Sequence, residues 1–230
     1  MGGLCSCIDE GKRTNLTDDL IEIDPNHYQH CSAVLQVRLP SSESKQTLDP
    51  VSDYVSLVER RLGAFVFDEK DGLPGSLSHH EVLPNGCTYI GQKDSLGRRA
   101  GRGVFVWEDG AKYTGYWKDD QAHGRGRLIH ADGDVYEGQW SHDKAHGHGT
   151  YTHFSGGSYC GDWQDDEQHG YGVEQWADGT VYKGSYRAGL KHGQGTFVWA
   201  DHSAYIGEFV ENRIEGKGVY EWNDGRRFEG

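Results

Sequence analysis

A short aromatic and glycine phrase returns along this chain at a fixed interval, and no other feature limits the fold so strongly. YTGYW begins at Tyr113, YEGQW at Tyr136, YCGDW at Tyr159, YKGSY at Tyr182 and YIGEF at Tyr205, each 23 residues after the last. YIGQK at Tyr89 precedes Tyr113 by 24 residues, with one extra residue in the Ser95–Arg99 stretch, and Phe228-Glu229-Gly230 opens a seventh copy. Self-similarity at such a period marks a repeat architecture, in which each unit buries its apolar face against its neighbours.

Inside each unit a polar turn follows YxGx[WYF], then HGRG, HGHG, HGYG, HGQG or EGKG, then an alternating strand and a closing turn. The closing turns include Asp109-Gly110, Asp132-Gly133, Asp178-Gly179 and Asp224-Gly225, with Gly156-Gly157 in that role in the third unit and Asp201-His202 in the fifth. Period-two alternation puts Tyr136, Gly138 and Trp140 on one face of a strand, and Gly147, Gly149 and Tyr151 on one face of its return. Tyr113, Gly115, Trp117, Tyr159, Gly161, Trp163, Tyr182, Gly184, Tyr205 and Gly207 take the same places in other units. Each unit is predicted to be a β-hairpin whose turns need positive φ. Glycine on the aromatic face leaves room for a ring to lie against backbone. The expected fold is mainly β: an elongated single-layer antiparallel hairpin solenoid, about 60 Å long from strands about 4.8 Å apart, behind a short α/β segment.

Composition agrees. The hydrophobic fraction is 35%, but seven Trp, thirteen Tyr and seven Phe accompany 34 glycines, so cohesion must be aromatic and spread along the chain.

This pattern resembles the MORN (membrane occupation and recognition nexus) repeat family. The resemblance covers Tyr89 to Gly230, with six full units, a truncated seventh at Phe228, and a degenerate half unit in Ser78–Gly86. Departures are Lys93 for the aromatic in the first unit and Glu215 for histidine in the sixth.

The repeat explains a suggestive cluster of histidines. His123, His146, His169 and His192 share one repeat position, so His146 is expected to serve the hairpin as a turn or packing residue. Zinc would need His146 joined by His142, His148 or a second molecule, because hairpins about 9–10 Å apart cannot bring one histidine each to within about 2 Å of a metal. No nucleotide loop, nucleophile elbow or EF-hand spacing is present, and no cofactor or catalytic residue is assigned.

Three segments are expected: an acidic tether at 1–30, a strand and amphipathic helix at 31–77, and the solenoid at 78–230. A strand is predicted from Ala33 to Leu39. The helix is predicted to begin after Asp49 with Pro50 in its first position, to present Val51, Tyr54, Val55, Val58 and Leu62, and to stop at Gly63. A single-layer sheet leaves one apolar side in need of a lid, and the helix is expected to cover the aromatic face.

MGGLCSC fits the M-G-x-x-x-[ST] pattern for myristoylation of Gly2, and Cys5 and Cys7 resemble palmitoylation sites. One myristoyl chain binds only marginally, and Lys12 and Arg13 make a weak basic patch, so palmitate is the expected second anchor. Five cysteines at irregular spacing, with no secretory signal ahead of them, predict reduced thiols without a disulfide framework. Net charge −13 opposes nucleic-acid binding.

The expected function is a non-enzymatic scaffold on the cytosolic face of a plasma, cortical or ciliary membrane, recruiting proteins through its repeats. A first alternative is acidic-phospholipid binding, which the resemblance to junctophilins and plant phosphatidylinositol phosphate kinases implies. Arg98, Arg99, Arg102, Arg125 and Arg127 are its candidate residues, although the chain from Glu81 onward carries 23 acidic and 16 basic residues. A second alternative is a regulatory subunit of a separate enzyme. An unpaired strand edge near Trp222 and Phe228 predicts homodimerisation, as the family resemblance also implies.

Overall fold

The structure, a computed structural model, describes residues 53–68 and 78–230. The acylation motif, the tether, the predicted strand at 33–39 and the predicted helix start at Asp49-Pro50 lie outside the described residues.

Among the described residues fourteen strands form one antiparallel sheet whose order follows the sequence without a crossover. β1 (His79–Val82) leads in. The six units supply β2 (Thr88–Lys93) and β3 (Arg99–Val106), β4 (Lys112–Lys118) and β5 (Gln121–Ile129), β6 (Val135–Ser141) and β7 (Lys144–Thr152), β8 (Gly157–Gln164) and β9 (Glu167–Trp176), β10 (Val181–Arg187) and β11 (Leu190–Val198), β12 (Ala204–Val210) and β13 (Arg213–Glu221). β14 (Arg227–Glu229) pairs with β13.

Two kinds of turn alternate. Within a unit the turn has two residues, both at positive φ: 52° and 67° at Asp119-Asp120, 53° and 64° at His142-Asp143, 48° and 67° at Glu211-Asn212. Such φ pairs belong to type I′ turns, whose twist matches that of the flanking strands. Between units the Gly110 N–H bonds the Trp107 carbonyl at 3.0 Å, and Gly110 has φ 88°. The Asp-Gly pairs therefore join units. In the third unit Ser155-Gly156 fills that role, because the Gly156 N–H bonds the His153 carbonyl, while Gly157 opens β8. This corrects the expected Gly156-Gly157 pair by one residue.

On the aromatic face Tyr136 lies opposite Tyr151 and Gly138 opposite Gly149; a bulge then sets Trp140 opposite Ala145, and Gly147 pairs with Trp163 of the next unit. The Tyr136 ring rests on the paired glycines and its hydroxyl donates to the Gln139 carbonyl at 2.9 Å. Tyr113 and Tyr159 repeat the bond, to Tyr116 O at 3.0 Å and Asp162 O at 2.9 Å. Tyr136 also meets Trp140 and Trp163 edge to face, with centroids 5.0 and 5.2 Å apart. Each such pair adds about 0.5–1.5 kcal/mol beyond area burial. Burial holds the Tyr113, Tyr136 and Tyr159 hydroxyls well above the usual phenol range, so they donate at any physiological pH.

The helix α1 (Asp53–Leu62) ends at Gly63, which has φ 72° and bonds the Glu59 carbonyl at 2.9 Å. Val55 and Val58 pack on Ile129 and Val135, with Leu62 and Phe154 at the margin. Ile129 and Val135 alternate with Leu128 and Tyr136 along their strands, so α1 covers the face opposite the predicted one. The reason is chemical. The aromatic face is closed by its own rings and hydroxyl-to-carbonyl bonds, whereas the other face offers the paired aliphatic side chains of Ile129 and Val135, which α1 covers. Past Gly63 the chain stays on that face: Phe67 meets Tyr116 edge to face at 5.4 Å, and the Asp68 N–H donates to the Tyr116 hydroxyl at 2.6 Å.

Cys87 and Cys160 are both buried, and Cys87 is free.

Candidate functional site

The strand registers single out a departure in the fourth unit. The residue opposite the core tyrosine is Phe105, Leu128, Tyr151, Phe197 or Tyr220 in five units and Glu174 in the fourth, across from Tyr159. Glu174 Oε2 accepts from the Tyr186 hydroxyl at 2.9 Å and from Lys191 Nζ at 2.7 Å. Its partners vary between units as well: Tyr186 stands where the second to fourth units have Trp117, Trp140 and Trp163, and Lys191 where the second and third have Ala122 and Ala145 and the first has Arg99. Lys191 Nζ also sits 4.8 Å from the Trp176 ring centre and 5.1 Å from that of Tyr182. Burial, reinforced by the Glu174 charge, pushes the Tyr186 hydroxyl far above the usual phenol range, so it remains a donor.

Replacing an aromatic by Glu174, and having no side chain at Gly157, leaves a groove of about 360 Å³ in the fourth unit. Tyr151, Trp163 and Trp176 give it aromatic walls, and Asp166, Glu167 and Glu174 make its polar lining acidic. Glu174 and Lys191 are absent from the sequence-level site residues. The signal was available: HGYGVEQW beside HGHGTYTH and HGQGTFVW shows glutamate in an aromatic column.

The structure divides the five arginines of the lipid-binding reading between the two faces. Arg99 lies on the aromatic face, its guanidinium carbon 4.4 Å from the Trp117 ring centre. Arg98 is held in the loop by Asp94 and Asp119, each at 2.7 Å. Arg102, Arg125 and Arg127 lie on the helix-bearing face: Phe67 covers Arg102, Phe65 covers Arg125 and Arg127, and Arg127 also bonds Glu137 and the Gly63 carbonyl, both at 2.7 Å. They fasten the segment after α1 to the sheet.

The histidines are likewise dispersed. His142 sits in a turn, its ring 5.7 Å from that of His123; His146 is 3.8 Å from Asp165; His148 is 3.5 Å from Asp162. Burial, then the charges of Lys118 and His142, hold His123 below the usual imidazole range. Among the described residues no group of three or more His, Cys, Asp or Glu is placed to hold a metal ion. At the far edge of the sheet Phe228 is 62% exposed and Trp222 37%, with Arg226 stacked 5.3 Å from the Trp222 ring centre.

Comparison with known proteins agrees with the hairpin geometry. No curated protein sequence matches this chain. Among solved structures, the TCP domain of Drosophila melanogaster SAS-4 in complex with a proline-rich motif of Ana2 aligns at 10% identity over 72% of this chain and 91% of that one, with a TM-score of 0.30. Virginiamycin B lyase from Staphylococcus aureus aligns at 9% identity over 66% and 68%, with a TM-score of 0.17. Scores that low support no argument. The MORN repeat description matches six times in succession, at residues 89–112, 113–135, 136–158, 159–181, 182–204 and 205–226. Those boundaries fall on the hairpins of the sheet, and the chain belongs to the MORN repeat family.

Proposed function

We propose that this protein is a non-enzymatic scaffold that gathers partner proteins on its repeat sheet and is held at the cytosolic face of a membrane by acyl chains on Gly2 and on Cys5 or Cys7. The observation that carries the first part is the fourth-unit groove, a polar opening in the aromatic face of the sheet. Support for the second part is the sequence MGGLCSC alone. Lipid recognition by the sheet has less support, because Arg102, Arg125 and Arg127 are engaged by Phe65, Phe67, Glu137 and backbone carbonyls.

In-cell crosslinking of the full chain tests the scaffold reading. Adducts with a discrete set of proteins, mapping to residues 89–226, are expected; adducts confined to other segments would defeat it. Intact mass from native cells, with fractionation of wild type and Gly2→Ala, tests the anchor. Myristate plus palmitate, and release of the variant into the soluble fraction, are expected.

A further inference from the structure

We infer that the groove of the fourth unit receives an arginine side chain from an extended basic segment of a partner protein. The inference rests on the scaffold reading and specifies what the sheet would grip.

Charge points this way first. Asp166, Glu167 and Glu174 line the groove, and Lys191, already bonded to Glu174, offsets one of the three. Both bonds to Glu174 fall on Oε2, so Oε1 has no donor among the described residues. Asp166 spends Oδ1 on the Ala145 N–H at 2.7 Å, and Oδ2 accepts no hydrogen bond there. Glu174, toward one end of the groove, and Asp166 with the exposed Glu167, toward the other, thus each bring acceptor capacity to a space with aromatic walls, where a cation gains from carboxylate and ring together.

The molecule supplies its own precedent. Arg99 and Lys191 occupy one repeat position on the aromatic face, and each sets its charge over rings: Arg99 at 4.4 Å from the Trp117 centre, Lys191 at 4.8 Å from that of Trp176. In the fourth unit that position is Gln168, which is neutral and lines the groove. The acidic opening thus stands where the chain supplies no cation of its own from that position. Arginine fits better than lysine, since its planar fork can stack on an aromatic wall while donating to a carboxylate. An extended segment fits because alternate side chains of a strand point to one side and would meet the sheet one at a time.

The test uses the full-length unacylated chain and a nine-residue Gly/Ser peptide with a central Arg-Ser-Arg, followed through the indole N–H resonances of Trp163 and Trp176. Saturable shifts of both are expected, weakened at least about tenfold when citrulline replaces arginine, because a charge-assisted bond is lost. Glu174→Gln, which keeps the shape, should weaken binding about as much. Glu174→Phe with Lys191→Ala restores the column residues of other units, and should abolish binding while the melting temperature holds or rises. No shifts, equal shifts with citrulline, or undiminished binding in the folded double variant would overturn the inference. So would phosphatidylcholine vesicles that move the same two resonances when the arginine peptide does not, which would assign the groove to a choline headgroup. If in-cell crosslinks through the repeats persist in the double variant while the peptide fails, the scaffold stands and this inference falls.

Discussion

Gly149 shows how a missing side chain sets the packing of a unit. A methyl group there would stand 2.4 Å from the Tyr136 hydroxyl oxygen and 2.6 Å from Cζ, so the ring would have to leave its seat. Gly149→Ala should therefore cost about 1–3 kcal/mol, as overpacking does, and more than Tyr136→Phe, which removes one hydroxyl bond at about 0.5–1.5 kcal/mol. Urea midpoints for the two variants check the order. Asp134 gives a second test at this scale. Burial raises its pKa, but bonds from the Phe154 N–H at 2.8 Å, the Tyr151 hydroxyl at 2.8 Å and His153 at 3.0 Å outweigh that and hold the carboxyl below the ordinary aspartate range. A depressed folded pKa stabilises above the unfolded value of 3.8 and loses that contribution as pH falls through the folded value. The stability gap between wild type and Asp134→Asn should thus be full at pH 7 and shrink in acid below about pH 4; a gap independent of pH would refute the assignment. The glycine seats were legible because only glycine fits where aromatics recur across a strand. The acceptors of the tyrosine hydroxyls were not, because a backbone carbonyl leaves no mark in the sequence.

The hairpin turns do more than reverse the chain. The Asp143 carboxylate accepts from the Ala122 N–H at 2.7 Å, Asp166 from Ala145 at 2.7 Å and Asn212 from Lys191 at 2.8 Å, while the N–H of each turn residue bonds the carbonyl of the same partner. Each turn is thereby latched to the preceding unit. In the fifth unit Gly189 makes the backbone half alone, to the Gln168 carbonyl at 2.9 Å. Its φ is 74°, the value Asp166 also takes, and nothing lies within 4 Å of a Cβ built there. Gly189→Asp should complete the latch and be more stable than Gly189→Ala by about 1 kcal/mol, since both carry the strain of a positive φ and only the aspartate adds the bond; equal melting temperatures for the two variants would count against the latch. A polar turn was legible at this position, but its partner 21 residues earlier was not, since the bond is to a main-chain group. The helix shows the same limit. Its apolar face was readable from Tyr54, Val55, Val58 and Leu62, but choosing a side of the sheet required knowing that the aromatic side seals itself.

Along the whole molecule the sheet is continuous while its core is not. Tyr89 to Trp140 form one buried cluster and Tyr159 to Phe209 another, with Trp163 packed against both. The first cluster is backed by α1 across Ile129 and Val135, whereas β13 is exposed along its first five residues. Amide exchange should therefore be slowest in β4 to β7 and fastest in β13 and β14, with opening spreading inward from that edge; uniform protection would show that the sheet opens as one body.

The fourth-unit departure and the latches together imply a rule about length. A slip of one residue in any strand turns every ring outward, and a latch 21 residues long fails if that count changes. Unit 1 carries one residue more than its neighbours, and absorbs it between Lys93 and Arg99, where Asp94 N–H bonds the Arg98 carbonyl and Gly97 N–H the Asp94 carbonyl in place of a two-residue turn. The sheet therefore behaves as a ruler graduated in steps of 23, with slack allowed at the hairpin tip. Lineages of this chain can grow or shrink by whole graduations, carrying the acidic groove a measured distance along the ruler without disturbing the marks on either side.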